Sequence, residues 1–398
     1  MPQNATGETV LVVLGTRPEA IKLAPVVHAL RRGGVPTLLV STAQHREMLD
    51  QVLGLFELTP DRDLDLMRPN QSLNGLAARV LEGIDDLLLE AAPRLVIVQG
   101  DTTTTMATSL AAFHRRIPLG HVEAGLRSFD LENPYPEEMN RRVTSLVTAL
   151  HFAPTPLAAE RLLAEGVDAK SVLVTGNTVV DALHVMVKAA DARAGSRRVL
   201  VPPEARMILV TSHRRESWGP QLQGVCLALC DLVDRFPDVH VVYPVHLNPN
   251  VRHTVEEVLA DHERIHLLPP VDYLEFIQLM KESHLILTDS GGVQEEAPSL
   301  GKPLLLMRKV TERPEAFEAG VAKIVGTERS AIVREATRLL EDSAAYRSMA
   351  RGASPYGDGR AADRITRAVR RWLGGETPLL EDDEQFLSRV EEARAWRS

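Results

Sequence analysis

Cysteine is scarce in this 398-residue chain, with Cys226 and Cys230 the only two. They stand one helical turn apart in an apolar stretch, so a Cys-rich metal site is excluded by count and buried free thiols in a reducing compartment are expected. Long hydrophobic runs are missing as well. No stretch approaches the roughly 20 apolar residues of a membrane helix, and the opening MPQNATGETVLVVLG has no basic segment leading into an apolar core. A soluble cytoplasmic protein without a membrane partner is the expectation. Positive charge is not in excess either. A formal net charge of -9 argues against nucleic acid as a general partner, because that binding neutralises many phosphates with a basic face. A small anion stays within reach, since it needs only a few local cations and backbone amides. The histidines lack ligand spacing such as HExxH, and the GxGxxG spacing of a dinucleotide site is absent. No metal and no cofactor are expected.

What the chain does have is ordinary globular composition, 44% hydrophobic and 25% charged, over a length that exceeds one core and suggests two domains. Short runs rich in Val, Ile and Leu alternate with longer amphipathic stretches, the pattern of strands and helices in a doubly wound parallel α/β sheet. In the first half five runs read as strands: Val10–Leu14, Thr37–Ser41, Leu95–Gln99, Leu119–Val122 and Val172–Thr175. After a linker within Asp181–Pro203 the pattern restarts. Met207–Thr211, Val239–Tyr243, Ile265–Leu268, Leu285–Thr288, Pro303–Leu306 and Lys323–Val325 form the second set. Ala361–Leu373 reads as an amphipathic helix, and the acidic stretch Glu381–Glu384 leads toward a final charged helix. Two such sheets facing each other would align the carboxyl ends of their strands along one interdomain cleft, where open sheets bind ligands.

Most polar clusters fall at those strand ends. Arg17 and Lys22 follow the first strand, with Pro18 suited to a first helical turn, and could meet a phosphate or simply be solvated. Asp101 follows Gly100 and precedes Thr102–Thr105; capping the next helix is its commoner fate. Glu123 has little structural reason to sit inside HVEAGLR, where desolvation demands a polar partner or a substrate. Glu137 and Glu138 open a helix, and acidic residues there favour the dipole. In the second half, His213 and Arg214 follow a strand within SHRRES, and His246 occupies the equivalent end of the next. The segment LTDSGGVQEEA is a strand, a tight turn and a helix, with Ser290, Gly291 and Gly292 offering amides suited to a pyrophosphate and Glu296 placed to accept from ribose hydroxyls.

Together these segments resemble the non-hydrolysing UDP-N-acetylglucosamine 2-epimerases from about Val10 to Trp372. The resemblance is carried by GTRPEAIKLAPV, TAQHREMLDQV, GDTTTTMATSLAAF, GHVEAGLRS, PEEMNRR, TGNTVVDAL, TSHRRES, YPVHLNPNV, LTDSGGVQEEAPSLGKP and ERPEA. It implies a GT-B-type pair of Rossmann-like domains with the active site in the interdomain cleft. The expected domains are 1–182, with C-terminal helices 360–398 packing back on it, and a UDP-binding domain over 183–359. Asp101, Glu123, Glu137 and His213 match catalytic positions of that family. Arg17, Lys22, Phe276, Ser290, Gly291, Gly292, Glu296 and Arg313 match positions that hold the nucleotide sugar, as does Val271 at a contact whose side chain is interchangeable. Asp101, Glu123 and His213 would contact the substrate as well. Some relatives bind a second UDP-GlcNAc as activator through a region corresponding to Gln44, Arg214 and His246. Glu47 departs from the Gln of those relatives and leaves activation open. Gln99 and Ser212 also depart from the usual pattern, and neither is expected to touch a chemical group.

The resemblance implies reversible conversion of UDP-GlcNAc to UDP-ManNAc, by a homodimer, supplying precursors of cell-surface polysaccharide. Carbon 2 of a pyranose has no adjacent carbonyl to acidify its proton. Eliminating UDP to 2-acetamidoglucal and adding it back solves this, given acid/base groups on both faces of the sugar. Asp101 and Glu137 are the expected proton-transfer pair, with Glu123 stabilising the cation or relaying a proton and His213 holding the leaving phosphate. A hydrolysing epimerase, a GT-B glycosyltransferase and a non-catalytic UDP-sugar sensor are the competing readings.

Overall fold

The structure is a computed structural model in which residues 8–42, 46–66, 68, 71–193, 201–212, 218–352 and 354–387 are described. The chain forms two compact units. One runs through Ala182 and resumes at Tyr356; the other is Leu183–Pro355.

The first unit holds a parallel sheet of seven strands: β1 (Val10–Leu14), β2 (Thr37–Ser41), β3 (Arg62–Asp63), β4 (Leu95–Gln99), β5 (Leu119–Val122), β6 (Leu150–Ala153) and β7 (Val172–Val174), in the order β3-β2-β1-β4-β5-β6-β7. Every residue of β1 and β4 is buried, as expected of strands covered by helices on both faces. Two strands escaped the sequence reading. β3 is two charged, exposed residues at the sheet edge, and β6, LHFA, carries too short an apolar run to stand out. Its His151 is buried all the same.

The second unit repeats the architecture with six parallel strands: β8 (Arg206–Thr211), β9 (Val239–Pro244), β10 (Ile265–Leu268), β11 (Leu285–Thr288), β12 (Leu304–Leu306) and β13 (Ala322–Ile324), ordered β10-β9-β8-β11-β12-β13. A core of Ile208, Val210, Leu229, Val241, Leu287 and Leu305 lies on one face of this sheet. The switch in strand order falls beside β8 and β11, whose ends pair through Leu287 with Val210 and Thr288 with Thr211.

Helix starts in the first unit are locally encoded. Thr16 caps the helix Arg17–Arg32 in a capping box with Glu19, and Thr102 caps the helix Thr103–His114 by accepting from Thr105 N at 3.1 Å. Gly15 has no room for a side chain, because an added Cβ would lie 2.4 Å from Thr42 Oγ1 and 2.7 Å from Thr104 Oγ1. The helix Ala361–Gly374 packs against Arg17–Arg32, close enough that a Cβ on Gly33 would meet Thr366 Cγ2 at 2.8 Å. Beyond it, Phe386 N donates to Val174 O at 2.8 Å and Gln385 Oε1 accepts from Val174 N at 3.0 Å, closing the β7 edge. The final charged helix expected from the sequence falls outside the described residues.

Asp181 ties this returning segment to the helix Thr178–Arg193, its carboxylate accepting from Ala361 N at 3.2 Å and Ala362 N at 2.9 Å. Burial raises its pKa from the ordinary 3.8 to about 6 despite those bonds, with Asp358 and Asp363 adding to the rise. The folded protein therefore binds this proton more tightly than the unfolded chain. The group's contribution to stability is fully present below 3.8 and is lost as pH rises through about 6. Thermal melts from about pH 4 to about pH 7 should show the wild type losing stability relative to Asp181→Asn as pH rises. A difference between the two that stays flat across this window would refute the assignment.

Candidate active site

The polar groups of the first unit converge where β1, β4 and β5 end. Glu123 follows β5 with a left-handed backbone, φ 65°, and is buried. A non-glycine residue in that region is sparsely populated and persists only where its surroundings hold it. Lys22 supplies the hold, its Nζ lying 2.6 Å from Oε1 and 2.7 Å from Oε2 of Glu123. The sequence alone left Lys22 free to meet a phosphate; here its ammonium is engaged by a carboxylate. Gln99, at the end of β4, donates its side-chain amide to Glu123 Oε2. This corrects the expectation that Gln99 touches no chemical group. Arg17 is exposed at the first position of its helix.

Asp101 does not cap the following helix, a task Thr102 performs. Its carboxylate instead accepts from Arg141 Nε at 2.9 Å, and its carbonyl accepts from Asn140 Nδ2 at 2.8 Å. Glu137 opens the helix Glu137–Val147, half-buried. Its neighbour is wholly structural in its contacts. Glu138 is buried and accepts from Ser128 N at 2.9 Å, from Phe129 N at 3.3 Å and from Arg141 Nη1 at 2.7 Å. Desolvation would raise its pKa, but the Ser128 amide and the Arg141 charge outweigh it and hold the carboxyl below its ordinary value.

Glu19, a residue that sequence reasoning passed over, braces two of these loops at once. It accepts from Gly15 N at 2.8 Å and Thr16 N at 2.7 Å on one side, and from the Thr102 and Thr105 hydroxyls at 2.6 and 3.1 Å on the other. Burial pushes its pKa up against these bonds. The Thr-x-x-Glu spacing of a capping box was the available signal.

In the second unit Ser290 is the N-cap of the short helix Gly291–Glu296, and its side chain makes no capping bond. Arg313 lies against Gly291, where an added Cβ would be 3.2 Å from Arg313 Nη1. Glu295 holds the guanidinium, accepting from Nε at 2.5 Å, and Glu312 pairs with Nη1. Glu296 is buried and accepts from Tyr273 Oη at 2.6 Å. Tyr273 opens the helix Tyr273–Glu282 that carries Phe276, while Val271 lies half-buried just before it. Ser212 donates to Asp289 Oδ2 at 3.0 Å. His213, Arg214 and Gln44 lie outside the described residues. His246 is exposed, and its Nδ1 accepts from Asn248 N at 3.2 Å. Among the described residues no group of three or more His, Cys, Asp or Glu stands in position to hold a metal ion.

Removing Glu138 while leaving Arg141 buried breaks an ion pair out of reach of water. Glu138→Ala should cost about 3–5 kcal/mol of stability in urea unfolding. A loss under about 1 kcal/mol would mean that Asp101 alone satisfies Arg141.

The family profile described as UDP-N-acetylglucosamine 2-epimerase matches residues 28–370. The UDP-N-acetylglucosamine 2-epimerase of Escherichia coli K12 is 51% identical over 91% of this chain and 98% of its own. That of Yersinia pestis is 52% identical with the same coverage. Among solved structures, UDP-GlcNAc 2-epimerase from Neisseria meningitidis bound to UDP-GlcNAc superposes with a TM-score of 0.87 at 46% identity, covering 91% of this chain and 100% of that one. The Methanocaldococcus jannaschii enzyme in complex with UDP-GlcNAc and UDP gives 0.77 at 32% identity, covering 91% and 99%. Profile, sequence and architecture agree along the length of the chain, which belongs to the UDP-N-acetylglucosamine 2-epimerase family.

Proposed function

We propose that this protein interconverts UDP-N-acetylglucosamine and UDP-N-acetylmannosamine by eliminating and re-adding UDP. The observation that carries the reading is Glu123, buried in a left-handed backbone beside Gly100–Asp101 and held by Lys22 and Gln99. A strained, desolvated carboxylate with a matched cation is an arrangement that packing alone does not favour.

A carboxylate base removes the carbon 2 proton while the bond from carbon 1 to the diphosphate oxygen breaks, giving 2-acetamidoglucal and UDP. A second acid then delivers a proton to the opposite face of carbon 2, and the diphosphate oxygen adds back to carbon 1. Asp101 and Glu137 are assigned the two proton transfers. Glu123, paired with Lys22, stabilises the positive charge that grows on the sugar. Lys22 is therefore assigned to Glu123 ahead of the phosphates. Ser290, Gly291, Gly292, Arg313 and Arg17 take the diphosphate, with His213 on the leaving oxygen, and Glu296 takes the ribose with Phe276 and Val271 alongside. Free thiols at Cys226 and Cys230 favour a reducing, cytoplasmic setting.

An NMR time course with UDP-GlcNAc in deuterated water should show UDP-ManNAc appearing with deuterium at carbon 2. Retention of the original hydrogen would sink the elimination route. Free N-acetylmannosamine with UDP would signify a hydrolysing enzyme, and an unchanged ligand a sensor. Asp101→Asn, Glu123→Gln and Glu137→Gln should each lower turnover by about 2–4 orders of magnitude. A near-normal rate removes that residue from the scheme.

The homodimer belongs to the same proposal. The adjoining helices Thr103–His114 and Glu137–Val147 expose Phe113, Met139 and Leu146, the last 85% accessible. Basic residues 114–116 follow one end of these helices, and Asp130 and Glu132 precede the other. A two-fold axis across them would set acid against base around an apolar centre. Light scattering should report a dimer, and Leu146→Glu should shift it to monomer; an unchanged dimer would exclude this face.

A further inference from the structure

The link between Asp101 and Glu123 is a single residue, Gly100, held at both of its polar groups. Gly100 N donates to Val122 O at 3.0 Å, and Gly100 O accepts from His121 Nε2 at 2.8 Å. Both partners are the residues that immediately precede Glu123. Gly100 has φ 75°, a conformation that glycine adopts without the strain of a Cβ. The next peptide is held from the helix Glu137–Val147, through Asn140 to the Asp101 carbonyl.

His121 is 0% exposed within a four-residue strand. A carbonyl can only accept, so Nε2 carries the hydrogen and Nδ1 is bare. Among the described residues nothing bonds to that Nδ1. A second proton would place an unmatched charge there, and burial, outweighing the opposing Gly100 bond and aided by the nearby His151, Arg127 and Arg141, pushes the imidazole down to about 3. The ring is a fixed neutral donor at working pH. An apolar side chain would fill the same core position without an orphaned nitrogen, so packing does not explain the choice of histidine.

We propose that His121 is a positioning residue whose Nε2–H fixes the Gly100–Asp101 peptide and so sets the Asp101 carboxylate in register with Glu123. The inference rests on the epimerase reading of those two carboxylates. His121 acts through the Gly100 backbone, and a shift of about 1 Å at a reacting group is enough for losses on the order of a hundredfold.

Three variants test this: His121→Leu removes the donor, His121→Gln returns an N–H at about the reach of Nε2, and His121→Asn offers one that falls short. Amide hydrogen exchange around Gly100 and Asp101, read by mass spectrometry, is independent of turnover. It should quicken in the Leu and Asn variants and return toward wild type in Gln. In steady state, Leu and Asn should lower kcat by about 10- to 100-fold with KM nearly constant, and Gln should recover most of kcat with an unaltered pH profile. Should Leu fail to fold, the contrast between Asn and Gln decides. Unchanged exchange, or equal loss of kcat in all three with an altered pH profile, overturns the proposal. A wild type that makes no epimer, with exchange differing as expected, refutes the epimerase reading and leaves the brace on Gly100 intact.

Discussion

A carboxylate withdrawn from water at the end of a strand must meet a cation or give up its charge, because the cost of desolvating it alone exceeds what packing returns. Glu123 meets Lys22, and much of the first unit follows from that contact. Lys22 stands on the helix that follows β1, Gln99 ends β4 and Glu123 follows β5, so the group spans three neighbouring strands. Bringing the cation to the carboxylate requires the β1 loop to be tight. Gly15 allows this by leaving Thr42 and Thr104 the space of a side chain.

The loops themselves are not free to adjust. Glu19 shares one carboxylate between the Gly15–Thr16 amides and the Thr102 and Thr105 hydroxyls, so the loop that leads to Lys22 and the loop that carries Asp101 move together or not at all. Arg141 and Asn140 hold Asp101 from the helix that begins with Glu137. A cluster built this way is preorganised: its charges are fixed in place by neighbours before any ligand arrives. The second unit shows the same logic with opposite sign. Arg313 is steadied beside Gly291 by Glu295 and Glu312, a cation held by two carboxylates next to the amides of a helix start.

The alternation of apolar runs and amphipathic stretches carried the architecture, because a strand buried on both faces must read as a continuous run of Val, Ile and Leu. It failed for β3 and β6, whose short, partly polar sequences form strands only because neighbours offer them a ladder. The Thr16–Glu19 capping box is local enough to be written in the sequence, yet it went unread there. At Asp101 the local rule pointed the wrong way. The next residue, Thr102, took the cap and left the carboxylate to a partner forty residues away.

By itself, then, the sequence determined the two α/β units, the strand ends where polar residues gather and the order of the family's segments, and it nominated the candidate carboxylates. Those are properties of periodicity and residue type, which are written along the chain. Only the tertiary structure decided that Lys22 serves Glu123, that Gln99 touches it and that His121 reaches Gly100. Each of these pairings depends on which strands lie side by side, and parallel strands become neighbours through crossovers that leave no mark on local sequence.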